Sequence, residues 1–365
     1  MSIKKVHRIL GLFTATLWMF QAFTGVLLTF RQEIDNASVA GEAVPVATAG
    51  LGERIASLQR GGSRVESMWV TNFAANRFNI HYVDAATTER VMLVDGAGRV
   101  LRDGLENTTF ANGGWSGTLT NLHASLMSEE VGKWIIGICG ALLVSNIVLG
   151  LKLAWPRKGM WRQALVLRSS RNATAQLYGV HRTVGLWMAV PLFVVAAAGV
   201  ALRFDDALER ALGVARAVPV NSAQVSGFQP AQALDLALAR YRNSMITALS
   251  MPTESAPWYR VRVHARGEVS RMYGTTTVYL SAVDGAVLKE YPAATASAGR
   301  AVFDTLYPIH TGEIGGLAGR VLLLLTGVAL LFTGVYGIRL WLARLKRKKP
   351  SIAGRLGGET PNDNL

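Results

Sequence analysis

Residues 7–30 read HRILGLFTATLWMFQAFTGVLLTF, and what this stretch can be decides the fold. A helix that crosses a bilayer needs about 20 mostly apolar residues, and the run from Ile9 to Phe30 carries no charge. Three later windows, Ile135 to Trp155, Val184 to Leu202 and Leu317 to Leu340, also meet that requirement and hold no Asp or Glu. The first run is too long for a signal-peptide core, and no small-residue cleavage site follows Phe30 at once, so we read it as a retained anchor. The composition agrees: half of the 365 residues are hydrophobic and 17% are charged.

The basic residues give these four spans a direction, because short cytoplasmic segments are rich in Lys and Arg. Lys4, Lys5 and Arg8 precede the first span, and Arg157, Lys158, Arg162, Arg168 and Arg171 lie between the second and third. Arg344, Lys346, Arg347, Lys348 and Lys349 follow the fourth, opposed only by Glu359 and Asp363. Both termini are therefore expected in the cytoplasm of a bacterium, with the chain in its inner membrane. The segments Arg31 to Glu130 and Arg203 to Gly316 hold 22 of the 24 acidic residues and are expected in the periplasm. The net charge of +14 is then a matter of topology, and nucleic-acid binding loses its main support; lipid is the surrounding partner.

Each outer segment has strand character, alternating and β-branched, over Arg77 to Val83 and over Tyr259 to His264. Each also closes a strand pair with an Asp-Gly turn, at Asp95-Gly96 and Asp284-Gly285. A helix over Pro230 to Arg242, and another within Ser38 to Gln59, precede these strands. The expected fold class is an α-helical membrane protein with four transmembrane helices as two parallel repeats and two periplasmic α+β modules. The expected boundaries are spans at 1–30, 131–155, 181–203 and 314–342, modules at 31–130 and 204–313, a cytoplasmic loop at 156–180 and a basic tail at 343–365.

The repeats are legible as recurrences. His7-Arg8-x-x-Gly11-Leu12 returns 174 residues later as His181-Arg182-x-x-Gly185-Leu186, and Gly25-Val26 returns as Gly199-Val200. At an offset of 187, Thr118-Leu119-x-x-x-His123 returns as Thr305-Leu306-x-x-x-His310. Gly132-Lys133 likewise maps onto Gly319-Arg320, and Gly150-x-Lys152 onto Gly337-x-Arg339. Two such halves are expected to relate by a pseudo-two-fold axis along the membrane normal. His7 then faces His181 near the cytoplasmic side, and His123 faces His310 near the outer side.

One such histidine alone is explained by contact with lipid headgroups, but anchoring is equally served by Trp, Tyr, Lys or Arg, so it does not account for one residue type at four equivalent places. Imidazole is a good ligand for iron, zinc and copper, and haem iron takes an axial His from either side. Gly11, Gly25, Gly185 and Gly199 return to the histidine face of their helices, where small residues serve either close helix packing or room for a macrocycle. No Cys-x-x-Cys-His is present, so a haem here would be non-covalent. The single cysteine, Cys139, excludes an internal disulfide framework and a Cys-held iron–sulfur cluster. His81 and His264 occupy corresponding outer strands and are read first as half-buried structural residues, second as substrate or metal contacts. Trp69, Trp115 and Trp258 are candidates for an aromatic wall, a core or a membrane-surface role. Neither a Walker A motif, a GxGxxG after a strand nor an HExxH is present, so electrons would arrive from elsewhere.

The His-Arg-x-x-Gly-Leu starts, the paired outer modules with their Val-Asp-Gly strand ends and the histidine-led returns with Gly-Lys or Gly-Arg resemble the PepSY-associated transmembrane family (PepSY_TM), from Ile3 to about Arg347. Within it the chain is similar to iron-regulated inner-membrane proteins and to siderophore reductases of the FoxB type. That resemblance implies two b-type haems per chain, on His7 with His181 and on His123 with His310, and reduction of a periplasmic ferric siderophore. It implies an oxidoreductase fed by a cytoplasmic donor or membrane quinol, in which no side chain acts as acid or base. Two rival readings stand beside it: a siderophore or metal transporter, although only Gln21 and Asn146 interrupt the apolar spans, and a non-catalytic protein binding a periplasmic partner. Topology is tested by reporter fusions: a reporter active only in the periplasm should give signal after Ala40 or Ala296 and none after Ser169 or Ser351, and the reverse pattern overturns the orientation.

Overall fold

A computed structural model describes residues 1–39, 41–72, 74–106, 114–219, 227–269 and 273–348. Along the first half the elements are α1 (Ile3–Leu28), α2 (Arg31–Ala37), α3 (Thr48–Arg60), β1 (Arg64–Asn72), β2 (Arg77–Val83), β3 (Glu89–Val94), β4 (Val100–Leu105), α4 (Trp115–Ser125) and α5 (Glu129–Ala154). A short α6 (Trp161–Ala164) leads into α7 (Ala173–Arg203) and α8 (Asp205–Ala211). Then come α9 (Pro230–Arg240), β5 (Met245–Ser250), β6 (Trp258–His264), β7 (Thr276–Ser281), β8 (Val287–Tyr291), α10 (Ala298–His310) and α11 (Gly316–Lys348).

Four of these helices, α1, α5, α7 and α11, are long and apolar enough to cross a membrane, so the chain is a helical multi-pass membrane protein. They overrun the apolar windows, because hydropathy marks the part that lies in lipid, whereas backbone hydrogen bonding continues into polar sequence. Thus α1 begins at Ile3 and takes in Lys4, Lys5 and His7, and α11 runs on to Lys348. The stretch 156–180, expected as a loop, contains both α6 and the first turns of α7. Asn172 Oδ1 accepts from the backbone N–H groups of Thr174 and Ala175 at 3.0 and 3.1 Å, an N-cap that starts α7 well before its apolar part. The basic tail from Lys349 onward, with Glu359 and Asp363, lies outside the described residues.

In the segments between the spans, β2 spans Arg77–Val83 as the alternation predicts, and β6 gains Trp258 at its start. Both Asp-Gly pairs sit in the turns between β3 and β4 and between β7 and β8. Asp95 Oδ1 accepts from the N–H groups of Ala97 and Arg99, each at 3.0 Å, and Asp284 Oδ1 accepts from Ala286 N–H at 3.1 Å. The expected helix before β1 is α3, and α2 is an additional element. Pro230 at the start of α9 follows Gln229, which shares a reciprocal capping box with Gln232.

The main departure is in the sheet. The segments between the spans do not build two separate modules: among the described residues, eight strands form one antiparallel sheet in the order β4-β3-β2-β1-β5-β6-β7-β8. The seam is the β1–β5 pair, with Ser67 opposite Ser250, Met68 opposite Leu249 and Trp69 opposite Ala248. Alternation supplies the reason, since Met68, Val70, Ile246 and Leu249 are buried on one face of that seam with Phe78, Ile80, Val261 and Val278 on the flanking strands. Helices α3 and α9 cover this face through Leu51, Ile55, Leu234 and Ala237, all fully buried in the same core. Thr48 Oγ1 also donates to Asp235 Oδ1 at 2.5 Å between the two helices.

The chain divides into two compact units. One is made of residues 1–23, 142–193 and 326–365, and the other, which holds the whole sheet with α2 to α4 and α8 to α10, of residues 24–141 and 194–325. Close approach of α3 to α9 depends on Gly52, where an added Cβ would meet Ala231 Cβ at 2.6 Å. Gly52→Leu is therefore expected to destabilise the sheet unit by about 1–3 kcal/mol. Gly117→Ala, in a helix position with nothing within 4 Å, should be neutral or mildly stabilising. Thermal unfolding followed by circular dichroism in detergent reads the difference, and equal behaviour of the two variants would refute the packing account.

Candidate functional site

Four histidines meet in two pairs, each pair within one unit. In the first unit, His7 on α1 and His181 on α7 have ring centroids 6.3 Å apart and planes inclined at 60°. In the sheet unit, His123 on α4 and His310 at the end of α10 have centroids 6.1 Å apart and planes inclined at 40°. All four side chains are half-buried.

Each ring is seated on a neighbouring helix at a glycine. A Cβ added to Gly150 would lie 3.0 Å from His7 Cε1, and one added to Gly337 would lie 3.3 Å from His181 Cε1. The same construction puts Gly25 at 3.2 Å from His123 Cε1 and Gly199 at 2.6 Å from His310 Cε1. Three of the rings also bond the carbonyl four residues before their glycine. His7 Nδ1 lies 3.2 Å from Asn146 O, His181 Nδ1 2.9 Å from Thr333 O and His310 Nδ1 3.0 Å from Val195 O. The reason is helical geometry: a side chain covers the turn N-terminal to its own Cα, so a glycine at i+4 uncovers the carbonyl at i. A carbonyl only accepts, so Nδ1 carries the proton in these three rings and Nε2 keeps the lone pair that binds metals. In the fourth ring, His123 Nδ1 meets the hydroxyl of Thr24 at 2.9 Å.

The pair in the sheet unit is braced from both sides. Arg31 Nη1 donates to Thr120 Oγ1 at 2.8 Å, and Arg203 Nη1 donates to the carbonyl of Ala124, the residue after His123, at 3.0 Å. Leu126 and Met127, at φ +51° and +58°, end α4, so His123 sits on a short helix separate from α5. His310 likewise ends α10, ahead of α11. Arg320, near the start of α11, donates to the carbonyl of Thr29 and to Glu33, and its bonding holds the Glu33 carboxyl below the usual carboxylate range. Burial pushes the His310 imidazole below its ordinary value, against the smaller opposing effect of its backbone hydrogen bond to Val195.

This geometry suits one kind of centre. Imidazole nitrogens bind metals at about 2 Å; with each nitrogen about 1 Å from its ring centroid, two rings on opposite sides of one metal have centroids about 6 Å apart, which both pairs match. Among the described residues, no group of three or more His, Cys, Asp or Glu gathers to hold a metal. Two protein donors complete a centre that brings its own equatorial ligands, as haem does. The residues therefore fit a haem with two axial histidines better than a zinc or copper site, which needs more donors from the chain.

The remaining candidates fall elsewhere. His81 on β2 is paired through Nδ1 with Glu106 Oε1 at 2.8 Å, and His264 lies on β6 opposite Met245. Trp69 packs edge-on against Tyr273 at 5.5 Å and under Arg262 at 5.6 Å, while Trp258 packs edge-on against Tyr279 at 4.9 Å. Trp115 opens α4, so the three tryptophans belong to separate contacts. Gly25 and Gly199 do not leave room for a macrocycle, since histidine rings occupy that space. Gly11 lies against Asn146, and Gly185 has nothing within 4 Å. Sequence reasoning missed the ring seats at Gly150 and Gly337, although their recurrence at an offset of 187 was the available signal, and it missed Thr24.

No curated protein matches the chain. A family model described as the PepSY-associated TM region matches residues 4–344, a span that takes in both histidine pairs, the sheet and all four long helices. The chain belongs to the PepSY-associated transmembrane family.

Proposed function

We propose that each histidine pair holds one b-type haem and that the protein is an inner-membrane reductase. It takes electrons from a cytoplasmic reductase or membrane quinol and delivers them to a ferric siderophore in the periplasm. The observation that carries this reading is the spacing of the pairs, 6.3 and 6.1 Å between centroids, with Nδ1 tied to the chain. The resemblance to siderophore reductases supplies the acceptor, and the three basic, acid-poor segments supply the orientation.

A haem held by each pair would supply one-electron Fe(III)/Fe(II) chemistry. His7, His181, His123 and His310 would hold the haem, and the carbonyls of Asn146, Thr333 and Val195 orient three of these rings and would raise their basicity as ligands. The ferric chelate is the electron acceptor and forms no bond to the four histidines. Its iron gains one electron and becomes Fe(II), which hard oxygen chelators hold far more weakly, so the metal is released. No side chain has to move a proton in this step.

Purified protein from haem-replete cells should show the sharp reduced spectrum of six-coordinate iron, and extraction should give about two haems per chain; colourless protein overturns the reading. His7→Ala and His181→Ala should remove one haem, and His123→Ala and His310→Ala the other. Gly199→Val, whose side chain intrudes on His310, should reproduce the His310→Ala spectrum, while Gly185→Ala should leave both haems in place.

The acceptor is tested separately by stopped flow. Protein reduced with dithionite should be oxidised by a ferric hydroxamate or related chelate faster than by buffer, and His310→Ala should abolish that reaction while leaving the inner haem reducible. Oxidation no faster than in buffer, with both haems present, would mean that the electrons serve another acceptor.

A further inference from the structure

The sheet has a second face, turned away from α3 and α9. Its register places Trp69 on β1 opposite Ala248, Ala248 opposite Arg262 on β6, and Arg260 opposite Tyr279 on β7, whose other neighbour is Lys289 on β8. Trp258, two residues before Arg260, shares that face. Strands β5 to β8 thus put Arg260, Arg262 and Lys289 on it, with no Asp or Glu. Glu290, the acid of β8, belongs to the other face, where it takes Arg240 and Tyr241. Arg260 donates through Nε and Nη2 to the Ser250 hydroxyl at 3.2 and 2.9 Å, an uncharged acceptor that leaves the guanidinium charge in place. The two tryptophans and the three cations are half-buried, so each keeps surface open to a ligand.

Aromatic rings flank these charges. Trp258 packs edge-on against Tyr279, and Trp69 lies under Arg262. By strand geometry Trp69 and Trp258 stand about 10 Å apart across the sheet and about 13 Å along it, an interval that takes one hexadentate metal chelate. From Trp69 a series of ring contacts leads off the face, to Tyr273 at 5.5 Å and from Tyr273 to Tyr307 at 6.1 Å. Tyr307 is on α10, three residues before His310, and residues so spaced are neighbours on a helix. We infer that this face, centred on Arg260 and Arg262, binds the electron acceptor, and that the acceptor is a ferric chelate of net negative charge carrying aromatic rings. This rests on the reductase reading and deepens it by naming the substrate class. Three dianionic catecholates around Fe(III) leave such an anion, whereas three monoanionic hydroxamates leave a neutral complex. The guanidinium groups donate to catecholate oxygens, and the tryptophans pack against the rings.

The test is titration calorimetry on the full chain in a neutral detergent, with gallium(III) in place of iron. Gallium(III) has the charge and nearly the size of Fe(III) but is not reduced, so binding is read apart from electron transfer. The gallium complex of a tris-catecholate should bind about tenfold tighter than the neutral complex of a trihydroxamate, and should weaken as salt is raised. Gallium citrate, anionic but without rings, should fall between them. Arg260→Gln and Arg262→Gln should each weaken the catecholate complex about tenfold and leave the hydroxamate complex unchanged. Arg260→Lys, which keeps the charge, should retain most of the affinity. Trp258→Leu should weaken the catecholate complex and spare the citrate complex. Equal affinity for the charged and neutral complexes, no binding of either, or full affinity in both glutamine variants overturns the inference. Citrate bound as tightly as catecholate overturns the part given to the rings. Should a glutamine variant fail to fold, the order of the three complexes and their salt dependence in the unsubstituted protein still decide. His310→Ala should bind the catecholate complex as before, so protein that binds it yet carries no haem strikes the haem reading alone.

Discussion

An imidazole laid over a helical glycine, with Nδ1 on the carbonyl that the glycine uncovers, is the contact on which the rest of the site depends. A carbonyl oxygen has two lone pairs, so Asn146, Thr333 and Val195 accept from histidine without giving up their place in the helical ladder. The contact needs a glycine at one position, a histidine at one height on the next helix, and a ring whose proton is already assigned. Any side chain at Gly150 or Gly199 would push the ring away and cover its acceptor at the same time.

The two pairs reach the same spacing by different means. His7 and His181 lie on long apolar helices, where Arg182, next to His181, donates to the carbonyl of Ala154 at the end of α5. His123 and His310 lie on the short helices α4 and α10, which have too few turns to be held by lipid and are fixed by guanidinium groups. On α10 the device is a cluster: Arg300 is paired with Asp304 at 2.7 Å and with Glu209 on α8 at 2.5 Å, and Arg216 reaches Asp304 at 3.5 Å. These side chains are largely removed from water, where ion pairs add little net stability but penalise every arrangement that separates them. The cluster thus serves placement of the helix more than stability.

Much of this was legible in the sequence, and the failures have a common physical origin. The four spans, strand β2, both Asp turns and the pairing of His7 with His181 and of His123 with His310 follow from local composition or from recurrence at a fixed offset. The helix ends did not follow, because Asn172 caps α7 through side-chain oxygen geometry that hydropathy does not register. The single sheet did not follow either: strands β1 and β5 alternate in the same way whether they end two small sheets or join to make one, and only tertiary pairing decides. Gly150 and Gly337 recurred visibly, but a recurrence says that two positions are alike without saying what rests on them. Thr24 was illegible for the opposite reason, since it departs from its counterpart Ala198 and a search for repeats passes over differences.

The seam between β1 and β5 also has a consequence in time. Strand β1 is complete at Asn72, while its partner begins at Met245. At the usual rate of chain elongation, about 5–20 residues per second, roughly 10 to 35 s separate the synthesis of the two. Throughout that interval the first half presents β1 as an unpaired edge, the feature by which sheets recruit foreign strands and aggregate. The newborn first half must therefore wait, with its adhesive margin open, until the ribosome delivers the strand that closes it.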